Sequence, residues 1–186
     1  MAYLHDQKLS LFFSGLACLA LGVFALAGCN RSETVTESAP TPPAIQFGSK
    51  ISFGQGGNSE LYKVSGWSKT EAKFTWTEGT AARLKIPITA TNDPISVKFT
   101  MAALIKAPEL PFQPVELYVN DQKIADWQVG DTAEFVAAIP PSVAKLGGVL
   151  NFEIKTPKAT SPKALGLSAD PRVLGICCLD FELAKG

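Results

Sequence analysis

Ile95-Ser96-Val97-Lys98-Phe99-Thr100-Met101 decides the fold, because large apolar side chains hold every second position and polar ones stand between them. A period of two sends successive side chains to opposite faces of an extended chain, so Ile95, Val97, Phe99 and Met101 form a dry face and Ser96 and Lys98 a wet one. The pattern recurs on both sides of this stretch. Ala82, Leu84, Ile86 and Ile88 alternate with Arg83 and Lys85, Val115, Leu117 and Val119 with Glu116 and Tyr118, and Leu150, Phe152 and Ile154 form another set. Ile45, Phe47, Ile51 and Phe53 share one parity before it; Cys177, Leu179, Phe181 and Leu183 share one after it, with Asp180 and Glu182 between. One dry and one wet face per strand is the pattern of antiparallel sheets packed as a sandwich. The expectation is an all-β fold of seven or eight strands over residues 45–186.

The punctuation agrees with this reading. Asn120-Asp121-Gln122-Lys123 supplies a tight hairpin, since Asn and Asp tolerate the left-handed turn. The run from Pro140 to Gly147 has room for one or two helical turns, opened by proline and stopped by glycine. Cys177 and Cys178 are adjacent on a strand and face opposite ways, which excludes an ordinary disulfide between them and leaves only a strained eight-membered vicinal ring as the alternative to free thiols. The expectation is two reduced thiols, with Cys177 buried among Leu179 and Phe181.

Composition narrows the function. Fifteen glycines, 13 prolines and 18% charged residues in 186 describe short strands and many turns rather than a helical bundle. Seventeen Lys and Arg balance 17 Asp and Glu, so no polyanion-binding surface and no nucleic-acid partner is expected. The one histidine, His5, precedes a long apolar run. If that segment is removed, no Ser-His-Asp triad, Cys-His pair or histidine base is available, and nearly every common zinc site is excluded. No cofactor or metal is implied.

Leu9 to Ala27 is an apolar run broken only by Ser10 and Ser14, follows a polar segment carrying Lys8, includes Cys18, and closes on small residues before Cys29. This is secretory-signal anatomy. The tetrapeptide Leu26-Ala27-Gly28-Cys29 closely resembles the bacterial lipobox. The resemblance implies a signal peptide at 1–28, diacylglyceryl transfer to the Cys29 thiol, cleavage before Cys29, and acylation of the new amino group. Several acyl chains on one residue anchor stably where one would not. The alternative is an uncleaved membrane helix, since Leu9–Ala27 can just span roughly 30 Å of hydrocarbon. Both place the rest of the chain outside the cytoplasm. Residues 29–44 then form the lipidated cysteine and a tether, because NRSETVTESAPTPPA from Asn30 to Ala44 has too little apolar area to offset its ordering entropy. Asn30 is not the aspartate that usually retains lipoproteins in the inner membrane, which favours the outer membrane in a Gram-negative host.

A second resemblance covers residues 48–183. Ile51-Ser52-Phe53-Gly54-Gln55-Gly56-Gly57-Asn58, Gly66-Trp67-Ser68, Glu71 and Thr75-Trp76-Thr77-Glu78-Gly79 come first, then Leu117-Tyr118-Val119-Asn120. Ser161-Pro162, Leu165-Gly166-Leu167-Ser168, Asp170 and Arg172-Val173-Leu174-Gly175-Ile176 follow. This ordered series resembles an accessory β-sandwich domain of unassigned function, often attached to bacterial envelope glycosyltransferases and phosphoglycerol transferases. The resemblance implies a jelly-roll sandwich like those of carbohydrate-binding modules, at the cell envelope, and no catalytic activity. Two departures stand out: Lys73-Phe74 replaces the more common Trp-Gly, and Cys177-Cys178 falls where aliphatic residues are expected.

The candidate ligand residues are Trp67, Glu71, Trp76, Glu78, Asp170 and Arg172. A flat apolar face against a sugar ring, with carboxylates accepting its hydroxyl hydrogens, is what carbohydrate recognition needs. The competing reading makes each tryptophan a core plug and Asp170 with Arg172 a loop fastener. Trp127, in an alternating strand, reads as core. Glu71 and Glu78 carry no spacing signature of glycoside hydrolysis. The functional expectation is a lipid-anchored module that binds an envelope glycan; the alternative is a scaffold module docking on a membrane glycan-synthesising enzyme.

The lipobox generates a direct test. Intact-mass analysis of protein recovered from membranes is expected to show loss of residues 1–28 and added acyl mass, both abolished by Cys29→Ser. Wild-type protein that keeps the leader and carries no acyl mass would refute the lipoprotein reading.

Overall fold

The computed structural model describes residues 42–145 and 147–186, so the leader, Cys29 and most of the tether lie outside the described residues. Among the described residues ten strands follow one another. They are β1 (Lys50–Ser52), β2 (Lys63–Ser65), β3 (Thr75–Glu78), β4 (Ala81–Ile88), β5 (Ile95–Ala103), β6 (Gln113–Val119), β7 (Gln122–Val129), β8 (Ala133–Ile139), β9 (Gly148–Lys155) and β10 (Leu174–Lys185). A 3-10 turn, Ser59–Leu61, precedes β2, and the single-turn helix α1, Pro141–Ala144, precedes β9. Two antiparallel sheets result, β1-β10-β5-β8 with β3 also on β10, and β2-β4-β9-β6-β7. Taken alone, β3 to β10 give the orders β3-β10-β5-β8 and β4-β9-β6-β7. Those are the two four-stranded sheets of a jelly roll, which the pairing itself establishes.

The alternating sets meet between the sheets. Leu84 and Ile86 from β4, Val97, Phe99 and Met101 from β5, and Phe152 from β9 are all buried. Phe181 of β10 joins the layers edge-on, 5.0 Å from Phe99 and 5.2 Å from Phe152 between ring centroids. Trp127 borders this core, half-buried between Phe99 and Phe135. Val119 pairs with Gln122 across Asn120 and Asp121, both left-handed at φ 46° and 65°, so the hairpin forms as its residues dictate.

Two expectations need correction. The parity shared by Ile45, Phe47, Ile51 and Phe53 is not one strand, because a turn at Phe47-Gly48 interrupts it, with Gly48 at φ 83°. Cys177 is buried as expected, but the thiol that faces the core between the sheets is that of Cys178. Along β10 the partners on β5 advance from Cys178↔Met101 to Asp180↔Thr100, so Leu179 is an extra residue, a bulge. The bulge shifts the parity: Ile176 and Cys178 face inward before it, Phe181 and Leu183 after it. Cys178 is wholly buried, while Cys177 lies on the other side at 7% exposure. Both thiols are free, and burial pushes both above the usual thiol range, furthest for Cys178.

Cys178→Ala is therefore expected to cost about 1–2 kcal/mol, on the scale of small core truncations, and Cys177→Ala less. Chemical denaturation of the two variants checks the order, and a reductant should leave the wild-type transition unchanged.

Candidate functional site

The candidate residues gather around β3, and its alternation sorts them. Thr75 and Thr77 point inward and are fully buried, so Trp76 and Glu78 point outward. The buried hydroxyls are satisfied by backbone. Thr75 donates to the Phe53 carbonyl at 2.7 Å. Thr77 accepts the Ile176 N–H at 3.0 Å and donates to its carbonyl at 3.3 Å, bridging the irregularity between Leu174 and Cys177 in the β3–β10 register.

The segment 66–68 lines the other edge of β3. Ser68 N–H donates to the Trp76 carbonyl at 2.9 Å and Glu78 N–H to the Gly66 carbonyl at 2.8 Å, with Trp67 opposite Thr77. Gly66 makes this approach possible: at φ 75°, a Cβ there would stand 2.0 Å from the Ala81 carbonyl oxygen. Residues directly opposite share a face, so Trp67 follows Thr77 inward and Trp76 faces the other way. The Trp67 ring lies 5.0 Å from Phe53, and its indole N–H donates to the Arg83 carbonyl at 2.9 Å. The two tryptophans thus form no common platform; Trp67 walls the core and Trp76 is presented outward, half-buried.

Trp76 has three sets of neighbours. Phe74 meets it edge-on, with centroids 5.7 Å apart. Cys177 is its partner on β10. Glu71 turns beside both: its N–H is bonded to the Phe74 carbonyl at 2.8 Å, and its charge raises the Cys177 thiol further. Gly79 N–H donates to the Val173 carbonyl at 2.8 Å, which draws Asp170 and Arg172 alongside. Arg172 donates to Asp170 from Nε at 3.2 and 3.0 Å and from Nη2 at 2.7 Å, and its backbone N–H adds a bond at 2.9 Å. Nη2 stands 3.8 Å from Glu71 Oε1. Asp170 is thereby occupied as a clamp, its carboxyl held below the usual range by the Arg172 guanidinium. The clamp, Glu71 and Glu78 together raise the guanidinium of Arg172.

Two clefts adjoin this cluster. One, about 250 Å³, is lined by Gly54 to Gly57, Ser59, Glu60 and Thr70; the other, about 230 Å³, by Glu60 and residues 63–68. Between them lies Lys63, its side chain only 7% exposed, with Nζ 2.5 Å from Glu60 Oε1 and donating to the Thr70 hydroxyl at 3.1 Å. The Lys63 ammonium, then the Thr70 hydroxyl, holds the Glu60 carboxyl below its usual range. Sequence reasoning did not single out Glu60, Lys63 or Thr70; the glycines of 54–57 were the one local signal. Among the described residues no group of three or more His, Cys, Asp and Glu side chains is placed to hold a metal ion. The arrangement offers an aromatic face, hydrogen-bond acceptors and an oriented guanidinium.

No protein-family model matches the chain, and no curated protein sequence matches it significantly. Solved structures do. The family 36 carbohydrate-binding module of a multidomain xylanase from the hindgut metagenome of Trinervitermes trinervoides is 7% identical at a TM-score of 0.45, covering 74% of this chain and 97% of that one. A family 36 module in complex with calcium and xylotriose is 10% identical at 0.42, covering 73% and 99%. A family 35 module from Clostridium thermocellum is 9% identical at 0.41, covering 74% and 99%. The jelly-roll topology stands on the strand pairing and does not depend on these likenesses.

The depressed carboxyls of Asp170 and Glu60 give a pH prediction. Groups whose folded value is lowered contribute stability in full above the unfolded value and lose it as pH falls through the folded one. Thermal stability is expected to fall on acidification below about pH 4. Asp170→Asn should lower Tm at neutral pH, flatten that acid limb, and speed hydrogen exchange across 163–173.

Proposed function

We propose that the domain is a glycan-binding module, held outside the cytoplasm by a lipid on Cys29, whose work is recognition of an envelope glycan rather than catalysis. The observation that carries this reading is the outward Trp76, flanked by Phe74 and by Glu71 and Glu78 of its own segment, with the clamped Arg172 brought beside them from nearly a hundred residues away. Water satisfies sugar hydroxyls as well as a protein does, so affinity must come from stacking a ring's apolar face, supplemented by oriented hydrogen bonds. Trp76 supplies the face. Glu71 and Glu78 supply acceptors and Arg172 donors, and the bidentate clamp of Asp170 removes much of the entropy that a free arginine would lose on binding. An aromatic with mixed-charge neighbours suits a neutral or weakly charged saccharide. The tether from Cys29 to Ala44, at about 3.1 Å per residue if extended, would carry the site on the order of 45–50 Å from the bilayer.

A glycan array probed with the detergent-solubilised full chain tests the reading. Trp76→Ala should weaken binding to an identified glycan at least about tenfold, or ~1.4 kcal/mol, with little change in melting. Trp67→Ala should instead cost about 3 kcal/mol of stability. Wild-type affinity in a folded Trp76→Ala variant would refute this site.

A further inference from the structure

An exposed sheet edge offers a row of unpaired N–H and C=O groups, and proteins defend such edges with short strands, bulges, lysine or proline. Three of the edges here are defended. β2 is three residues long with a register shift against β4. β7 carries Lys123 and Asp126 and has a shift against β6. On the outer side of β10, β1 has three residues and β3 four, with another shift. Among the described residues the edge at β8 has no bulge, lysine or proline, and its one charge is Glu134. The seven residues of β8, Ala133-Glu134-Phe135-Val136-Ala137-Ala138-Ile139, pair with β5 without a shift. Val136 stands outward at 57% exposure, the highest value among the large exposed apolar residues.

We propose that β8 pairs antiparallel with β8 of a second copy of this chain, about a two-fold axis at Val136, joining two sandwiches through one continuous sheet. The strand is self-complementary in that register. It pairs all seven residues of each copy, and other symmetric registers leave one end of the strand unpaired. Val136 meets Val136 of the second copy and is covered. On the same face Glu134 meets the small Ala138, and on the other face Phe135 meets the small Ala137 and Ala133 meets Ile139. No like charges stand opposite: the two Glu134 side chains are offset by about 13 Å along the strands, beyond the ~8–10 Å screening length of physiological salt. Each Glu134 keeps its own Lys98, 3.5 Å away on β5. The axis runs through the sheet at Val136, and each Trp76 stands four residues along the strands from that level, so the two are about 34 Å apart across the strands and about 26 Å apart along them, before twist is counted. If the proposed glycan site holds, the dimer is bivalent for a polymeric glycan; the pairing itself does not rest on that reading.

Sedimentation velocity of the detergent-solubilised full chain over a dilution series tests the pairing without any glycan. The wild type should show a concentration-dependent dimer. V136K and V136E, which alter an exposed side chain, should each be monomeric with unchanged melting, because each sets like charges face to face at the axis. An equimolar mixture of the two should restore the dimer, since only a register centred on Val136 brings this residue against its own copy. A wild type that stays monomeric throughout, a V136K variant that still dimerises, or a mixture that fails to pair would each overturn the proposal.

Discussion

The extra residue at Leu179 is the constraint on which the rest of the sandwich depends. β10 is paired on both sides, with β5 along one edge and with β3 and then β1 along the other. A strand of twelve residues with strict alternation would bury either Ile176 and Cys178 or Phe181 and Leu183, but not both pairs. The bulge lets both turn inward, and Phe181 can then touch Phe99 in its own sheet and Phe152 in the other. The same shift leaves Cys177 as the small floor beside Trp76. A larger residue there would have to share space with the indole.

The end of the sandwich around β3 is organised by hydroxyls and short backbone bonds rather than by apolar packing. Thr75 and Thr77 stand where two irregular stretches of chain come close, and their hydroxyls take up backbone groups that a regular ladder would have paired. Buried hydroxyls are tolerated because they are satisfied. Close approaches at Gly66, and at Gly57, where a Cβ would fall 2.2 Å from the Ser52 carbonyl oxygen, let loop backbone pack against strand backbone. The outcome is a rigid rim: Arg172 is oriented by Asp170, Glu71 by its turn, and Lys63 by Glu60 and Thr70. Such a rim has lost much of its conformational freedom before any ligand arrives.

The two edges of the β1-β10-β5-β8 sheet differ in kind. One is broken into short strands that hold polar and aromatic groups outward. The other is a single regular strand that offers mainly backbone and one exposed valine. The long path between them, through β10 and β5, keeps the two surfaces apart, so a change at one need not disturb the other.

The sandwich itself was legible in the sequence, since a period of two survives wherever one face is dry, and the dry sets of β4, β5, β6 and β9 are the buried ones. The Asn120-Asp121 hairpin and the single turn after Pro140 were legible for the same local reason, being fixed by the φ preferences of a few residues. The bulge was not. Cys177, Leu179, Phe181 and Leu183 form an unbroken apolar parity, and only the register against β5 reveals that it slips by one. The six candidate residues could be named from the sequence but not sorted. Whether a tryptophan walls the core or faces outward depends on which strand face it shares, and for Trp67 that follows from pairing with Thr77. The cluster of Glu60, Lys63 and Thr70 left no pattern in the sequence, because three ordinary polar residues acquire a joint role only when the fold closes a cleft around them. Alternation is written locally along the chain; register, edge and orientation arise from contacts between segments as far apart as Thr77 and Ile176, and so belong to the tertiary structure.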